Sequence, residues 1–146
     1  MGTEVMIRKM CEQDIVAVHE IECSIFSMPW SEKSFRDSIA KVNNIYLVAE
    51  EGKHVVAYCG FWGVAGEGQI TNIAVREDCR RNGIAEKMMS ELITQGRRQG
   101  IEAFTLEVRR TNQAAICLYH RLGFIDSGIR KNFYEAPVED ALIMWL

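Results

Sequence analysis

The sequence lacks the features of membrane, secreted and nucleic-acid-binding proteins. No apolar stretch approaches the ~20 residues that a transmembrane helix needs. The first residues carry acidic side chains and no continuous apolar stretch, so we expect no secretory signal there. The formal net charge of -3 argues against binding nucleic acid through a large basic surface. We therefore expect a cytoplasmic protein with no membrane partner and no direct nucleic-acid partner.

The cysteines and histidines form no metal-binding or disulfide pattern. The five cysteines are spread along the chain with no CxxC pair, which is typical of reduced thiols in a cytoplasmic protein. The three histidines do not have the spacing of a catalytic triad, and no serine or cysteine lies in a nucleophile motif. We therefore expect no metal site, and we expect any group transfer to be direct rather than through an acyl-enzyme.

Proline is also scarce, and the chain contains no repeat, low-complexity tract or linker. Its 146 residues, 48% of them hydrophobic, predict a single domain over residues 1–146. The spacing of the apolar residues predicts the element order β-α-α-β-β-β-α-β-α-β-β. This order indicates an α/β fold in which helices flank a mixed sheet, with strand–helix crossovers in the second half.

The periodic spacing of apolar residues is clearest in the second half of the chain. Residues 84–100 repeat apolar pairs every four residues, which predicts an amphipathic helix that ends near Gly100. Residues 112–123 predict another helix, closed by Gly123. The strand between them alternates, with Phe104, Leu106 and Val108 on one face and Ala103, Thr105 and Glu107 on the other.

The stretch "RRNGIA", residues 80–85, connects the apolar run "ITNIAV" to the predicted helix at residue 84. Free N–H groups at a glycine-containing helix start, together with the helix dipole, favour an anion. The stretch has neither the GK[ST] of a P-loop nor the GxGxxG of a dinucleotide fold. On these grounds alone, a phosphate site and a simple tight turn at Gly83 are about equally good explanations.

The pattern Arg80-x-x-Gly83-x-Ala85 resembles the signature of the GCN5-related N-acetyltransferase (GNAT) family. The blocks "ITNIAV", "LEVRRTNQAAICLYHRLGF" and "FSMPWSEKSF" resemble its RimI-like branch, which acetylates the N-terminal alanine of a small-subunit ribosomal protein. Ala85 is a departure, because close relatives often carry glycine there. The resemblance covers nearly the whole chain and implies the GNAT fold, with acetyl-CoA as the co-substrate.

The resemblance also assigns residues to acetyl-CoA. The amides of the loop would cradle its pyrophosphate, and strand amides in "NIAV" would hold its acetyl carbonyl. The residues implied in acetyl-CoA binding are Ile73, Ala74, Val75, Arg80, Arg81, Asn82, Gly83, Ile84, Ala85, Glu86 and Asn112. From the residues alone, Arg80 and Arg81 could equally be a solvated pair, and Asn112 could cap the helix that follows it.

The predicted chemistry needs a base for the amine and an acid for the thiolate. An α-amino group has a pKa near 8, so its deprotonation at neutral pH costs roughly 3 kcal/mol less than that of a lysine amine. A single carboxylate acting directly or through water can therefore suffice. The resemblance makes Glu107 this base and Tyr119 the proton donor to the sulfur. Otherwise Glu107 would be a solvated glutamate or a partner of Arg109, and Tyr119 a core residue.

The peptide substrate is expected to meet two loops. Trp30 in "MPWSE" and Tyr134 in "RKNFYE" resemble the loops that flank the peptide groove in the RimI-like branch, although each aromatic ring could instead anchor its loop to the core. Glu22 and Asp37 are further candidates, for reading a basic second residue of the peptide.

Two other functions fit the sequence less well. A GNAT enzyme could acetylate a small amine such as a polyamine or an aminoglycoside, but the glutamate in "LEVR" and the aromatic loops count against this. A non-catalytic acyl-CoA-binding module would keep the "RRNGIA" loop but would not need both Glu107 and Tyr119.

Overall fold

The computed structural model describes residues 4–146, so the first three residues of the predicted domain 1–146 lie outside the described residues. The helices and strands follow the predicted order. They are β1 (Val5–Lys9), α1 (Ile15–Ile25), α2 (Glu32–Ile39), β2 (Ile45–Glu51), β3 (His54–Val64), β4 (Glu67–Val75), α3 (Ile84–Arg98), β5 (Ala103–Arg109), α4 (Gln113–Arg121), β6 (Ile125–Tyr134) and β7 (Glu139–Trp145).

The seven strands form one mixed sheet in the order β1-β2-β3-β4-β5-β7-β6. Antiparallel hairpins join β2 to β3, β3 to β4 and β6 to β7, whereas β4 and β5 pair in parallel. A parallel pair needs a long crossover, and α3 provides it. The predicted α/β class, a mixed sheet with flanking helices, is confirmed.

Helices cover both faces of the sheet, and the strands alternate between two apolar clusters. In β2, Leu47 packs into the cluster of α3 and α4, whereas Val48 packs into the cluster of α1 and α2. The predicted apolar face of α3 is buried, with Met88 and Met89 at its centre. The alternation predicted for β5 is also confirmed, because Phe104, Leu106 and Val108 are buried toward α3 and α4.

The helix ends use the residues expected from the sequence. Gly100 and Gly123 have positive φ angles of 103° and 102°, a conformation that glycine adopts without a Cβ clash. Asn112 caps α4, since its side chain accepts a hydrogen bond from Ala115 N–H. In the part of the chain that the structure describes, no helix is both long enough and apolar enough to cross a membrane.

Candidate active site

A gap opens in the sheet between β4 and β5. Their parallel pairing ends at Gln69 and Thr105, although β4 continues to Val75 and β5 to Arg109. The register of β4 against β3 shifts at Thr71, two residues after Gln69. A bulge of this kind bends a strand and increases its twist, so it accounts for the divergence. Beyond Gln69, β4 remains paired with β3, but its backbone groups that point toward β5 have no ladder partner in the described sheet.

Glu107 lies on β5, the strand that borders this gap. Its neighbours Leu106 and Val108 face α3 and α4, so strand alternation directs the Glu107 side chain to the α1 and α2 side. Only 14% of the side chain is exposed. Arg109, the other partner that the sequence suggests for Glu107, is bound to Glu139 instead, and Arg130 Nη2 lies 3.9 Å from Glu107 Oε1.

Tyr119 lies on the other face of the sheet, in the apolar cluster of α3 and α4. It lies on α4, is 4% exposed, and packs against Phe124 with ring centroids 5.7 Å apart. Burial raises the pKa of the Tyr119 hydroxyl well above its ordinary value, and the negative charge of a deprotonated Tyr134 would raise it further. The hydroxyl therefore stays protonated at neutral pH, as a proton donor must. The core and acid interpretations of Tyr119 are compatible in this geometry.

The loop before α3 has the backbone geometry of an anion site. Arg81 and Gly83 have positive φ angles of 68° and 72°, and Gly83 occupies the N-cap position of α3 with no side-chain cap. Left-handed residues at a helix start orient successive N–H groups into a concave anion site. The first turn of α3 contains the remaining predicted loop residues, Ile84, Ala85 and Glu86.

The polar side chains around this loop are partly engaged. Arg80 Nε donates to Val75 O at 3.1 Å, which fastens the loop to the end of β4. Asn82 Nδ2 donates to Cys79 O at 3.2 Å. Arg81 is exposed and extends the positive charge at the helix start. The loop therefore presents backbone N–H groups to solvent together with Arg81, which has no hydrogen-bond or ion-pair partner among residues 4–146, while Arg80 also shapes the loop.

Trp30 anchors the connection between α1 and α2. Its ring packs on Phe35 at 5.2 Å and stacks on Trp62 at 5.7 Å, centroid to centroid. Its backbone N–H donates to Glu22 Oε2 at 2.9 Å. The core-anchoring interpretation therefore holds for Trp30, while Met28 in the same connection remains 61% exposed.

Tyr134 is the last residue of β6 rather than a loop residue, because it still pairs with Glu139 of β7. The Arg109 guanidinium lies 4.4 Å from the Tyr134 ring centroid. Burial, reinforced by the negative charge of Glu107, raises the pKa of Tyr134 to about 12. Tyr134 is thus a neutral phenol on the same side of the sheet as Glu107, because Arg109, which it contacts, alternates with Val108 as Glu107 does.

Asp37 and Glu22, the two acidic candidates for binding a basic second residue of the peptide, differ in their surroundings. Asp37 is exposed and its Oδ2 lies 2.6 Å from Lys33 Nζ. Glu22 is only 3% exposed, and its carboxylate already accepts hydrogen bonds from Tyr58 Oη at 2.6 Å and from Trp30 N–H. The expectation that Glu22 reads a basic peptide side chain is therefore wrong, because the helix spacing that includes Glu22 places it in the core.

The residues around Glu22 were not found by sequence reasoning. Tyr58 on β3 and Asn72 on β4 are both buried and both hydrogen-bond to this carboxylate. Asn72 stands inside the quoted block "ITNIAV", two residues from Ala74, and an amide in an otherwise apolar strand was the available signal. Within residues 4–146, no group of three or more His, Cys, Asp or Glu side chains has the geometry of a metal site.

The profile of the Acetyltransferase (GNAT) family matches residues 15–124, which include the gap, the loop and α4. The chain belongs to this family. A putative [ribosomal protein bS18]-alanine N-acetyltransferase of Bacillus subtilis is 38% identical over 147 residues, covering 100% of this chain and 97% of that protein. The enzyme is therefore an acetyltransferase of the GNAT family, as its sequence resemblance predicted.

Solved structures agree with this assignment. The ribosomal-protein-S18-alanine N-acetyltransferase of Escherichia coli superimposes with a TM-score of 0.90 at 32% identity, covering 98% of this chain and 93% of that one. Arabidopsis thaliana Naa50, solved in complex with the bisubstrate analogue CoA-Ac-MVNAL, has a TM-score of 0.85 at 17% identity, over 97% of each chain. The GNAT fold is thus confirmed, and acyl-CoA is the expected donor for this family.

Proposed function

We propose that this enzyme transfers the acetyl group of acetyl-CoA to the α-amine of an N-terminal alanine, with the N-terminus of a small-subunit ribosomal protein as its substrate. The observation that carries the proposal is the likeness over nearly the full chain to proteins named ribosomal protein alanine N-acetyltransferases. The whole of residues 1–146 would act as one N-acetyltransferase domain, working in the cytoplasm where such a substrate is made.

The geometry supports binding of acetyl-CoA along the loop before α3, the end of β4 and the start of α4. The loop before α3, with the open N–H groups of residues 83–86 and the charge of Arg81, would hold the pyrophosphate of acetyl-CoA. The segment Ile73, Ala74 and Val75, which pairs with β3 but has no strand partner on its β5 side, would hold the acetyl arm, with one strand N–H on the carbonyl oxygen. Asn112, whose oxygen caps α4, would meet the same ligand where α4 begins.

The two catalytic residues would act from opposite faces. Glu107, on the α1 and α2 side, would accept a proton from the amine, either directly or through water. The neutral amine would attack the thioester carbon, and the bond between that carbon and sulfur would break. Tyr119, on the α4 side, would give its proton to the departing sulfur, and the second proton that the nitrogen loses as the amide forms would restore the Tyr119 hydroxyl. Because its pKa is raised, Tyr119 would deliver this proton only as the thiolate charge develops beside it.

The peptide would enter on the α1 and α2 side, between the Trp30 connection and the end of β6 at Tyr134. Exposed apolar side chains near Trp30, Phe26 and Met28 among them, can cover an extended peptide.

A direct experiment tests the proposal. The purified enzyme is incubated with acetyl-CoA and a synthetic peptide that begins with alanine, and with a copy whose α-amine is blocked. We expect the mass gain of one acetyl group on the free peptide, located at the α-amine by fragmentation, and none on the blocked copy. Acetylation of neither peptide, by a folded enzyme that binds acetyl-CoA, would refute the proposed substrate.

A further inference from the structure

One polar atom of the buried Asn72 side chain has no hydrogen-bond partner in the described part of the fold. Asn72 is 6% exposed and lies on β4 beyond the last pair with β5, one residue before Ile73. Its Nδ2 group donates to Glu22 Oε1 at 3.4 Å. Its Oδ1 atom is buried and has no hydrogen-bond partner in the described part of the chain. Buried polar atoms are nearly always paired, so an unpaired one calls for an explanation.

The contacts of Glu22 fix which end of the amide is free. The Glu22 carboxylate accepts hydrogen bonds from Tyr58 Oη and from Trp30 N–H, and a carboxylate can only accept hydrogen bonds. The end of the Asn72 amide that faces this carboxylate must therefore be the donor, Nδ2. The unpaired atom is then the carbonyl oxygen, and the partner it lacks is a hydrogen-bond donor.

Asn72 and Glu107 flank the gap on the same side of the sheet. Asn72 contacts Glu22 of α1, and Ala74, two residues later, packs in the cluster of α1 and α2. Glu107 faces the same side from β5. A donor that enters the gap from this side has an acceptor on each strand. The α-amine of a peptide is such a donor, since its protonated form carries three N–H bonds.

We propose that Asn72 Oδ1 accepts a hydrogen bond from the α-amine of the peptide substrate and so positions the amine for Glu107. This inference rests on the proposed function, because it needs a peptide amine in the gap. Trp30 N–H binds the carboxylate that orients Asn72, so the peptide-binding connection and the amine contact belong to one network.

The experiment compares two peptides on two enzymes. One peptide begins with alanine and the other is identical except that the α-amine is replaced by hydrogen. Asn72→Leu removes the amide oxygen and nitrogen but keeps the number and branching of the side-chain heavy atoms. We expect this variant to weaken binding of the amine peptide about tenfold, to leave binding of the desamino peptide unchanged, and to leave the Kd of acetyl-CoA within about twofold.

Tyr58→Phe is the matched control, because it removes another donor to Glu22 while Asn72 Oδ1 stays in place. We expect it to keep the preference of the wild-type enzyme for the amine peptide. If Asn72→Leu does not fold, Asn72→Ser takes the same measurements, since its shorter side chain cannot reach the same point.

Two results would overturn the inference: an equal loss of affinity for both peptides, which indicates a structural role, or no loss for either. Failure of the proposed function looks different, since the wild-type enzyme would then acetylate no alanine peptide at all. An Asn72→Leu enzyme with normal KM and kcat on an alanine peptide would leave the proposed function intact and remove only the role of Asn72.

Discussion

Gln69 on β4 and Thr105 on β5 form the last pair of the parallel ladder, and beyond them the two strands diverge. This one pair sets the depth of the gap. Beyond it the β4 backbone is open to a ligand, and Glu107, two residues after Thr105, stands at the edge. The predicted chemistry therefore depends on where strand pairing stops as much as on the side chains.

Two substitutions at Gly83 that differ in charge but not in shape test whether the loop before α3 binds an anion. Gly83→Asp places a carboxylate where pyrophosphate would dock, and Gly83→Asn is its neutral isostere. The site has room for a side chain, and asparagine and aspartate tolerate positive φ better than most residues. We expect acetyl-CoA affinity, measured by calorimetric titration, to fall at least about tenfold more in Gly83→Asp than in Gly83→Asn.

Equal affinities of these two folded variants for acetyl-CoA would mean that the loop holds no anion. Thermal melting of both variants supplies the control, because strain at this residue affects them alike.

Glu107→Gln tests the base. The change keeps the size of the side chain but removes the proton acceptor, so we expect kcat on an alanine peptide to fall about 10²-fold or more at neutral pH, with acetyl-CoA affinity little changed. Raising the pH should recover part of the rate, because more of the peptide amine is then already neutral. Glu102→Gln, at an exposed residue before β5, is the control and should retain normal kcat. A pH–rate profile with no loss in Glu107→Gln would remove this residue from the mechanism.

Tyr119→Phe tests the acid. The ring that packs on Phe124 is kept, so the melting temperature should change little, but the proton for the thiolate is lost and kcat should fall. Raising the pH should not restore this rate, in contrast to Glu107→Gln. In the wild-type enzyme, the raised pKa keeps Tyr119 protonated, so its ionisation should produce no alkaline loss of activity below about pH 10. Recovery of the variant at high pH would contradict the assignment.

Asp14 supports the fold around α1 in a pH-dependent way. Burial tends to raise its pKa, but hydrogen bonds from Arg8 and from Cys11 N–H outweigh this and hold the pKa below its ordinary value of 3.8. A lowered pKa means that the ionised form stabilises the fold above pH 4 and that this stability is lost as the pH falls through the folded-state pKa.

Asp14→Asn should therefore lower the free energy of unfolding by about 1–2 kcal/mol at pH 7, and the difference should shrink below about pH 4. Asp37→Asn, in an exposed pair with Lys33, should cost less than about 0.5 kcal/mol at either pH. Urea unfolding at several pH values measures the free energy of unfolding of both variants. If the loss of stability in Asp14→Asn became larger as the pH fell, the role given to ionised Asp14 would be contradicted.

The order of elements and the faces of the regular segments could be predicted because they depend on local periodicity. Leu106 and Val108 alternate with Glu107, and the pairs around Met88 repeat at helical spacing. The gap could not be predicted from periodicity, since it depends on a register shift at Thr71 in the β3–β4 hairpin, which no alternation of apolar residues marks. The sequence predicts Tyr134 in a loop, but its pairing with Glu139 across the β6–β7 turn extends β6 beyond a register shift after Arg130, and no alternation of residues marks that shift.

The contacts of buried polar residues also could not be predicted from the sequence. Glu22 has the spacing of the core face of α1, yet its charge suggested a role at the surface. Only the donors brought from β3, β4 and the Trp30 connection explain how a carboxylate is tolerated there. Contacts of this kind join residues 36 and 50 positions apart along the chain.

The central claim is transfer to an N-terminal α-amine, and a competition among amines tests it most directly. The kcat/KM of the wild-type enzyme is measured with acetyl-CoA on a peptide that begins with alanine, on an N-terminally blocked peptide that offers one lysine, and on spermidine. We predict that the alanine peptide exceeds both others at least about tenfold, because its amine is the easiest to deprotonate and because we propose that its chain binds beside Trp30. A higher kcat/KM for spermidine or for the lysine peptide would contradict the account.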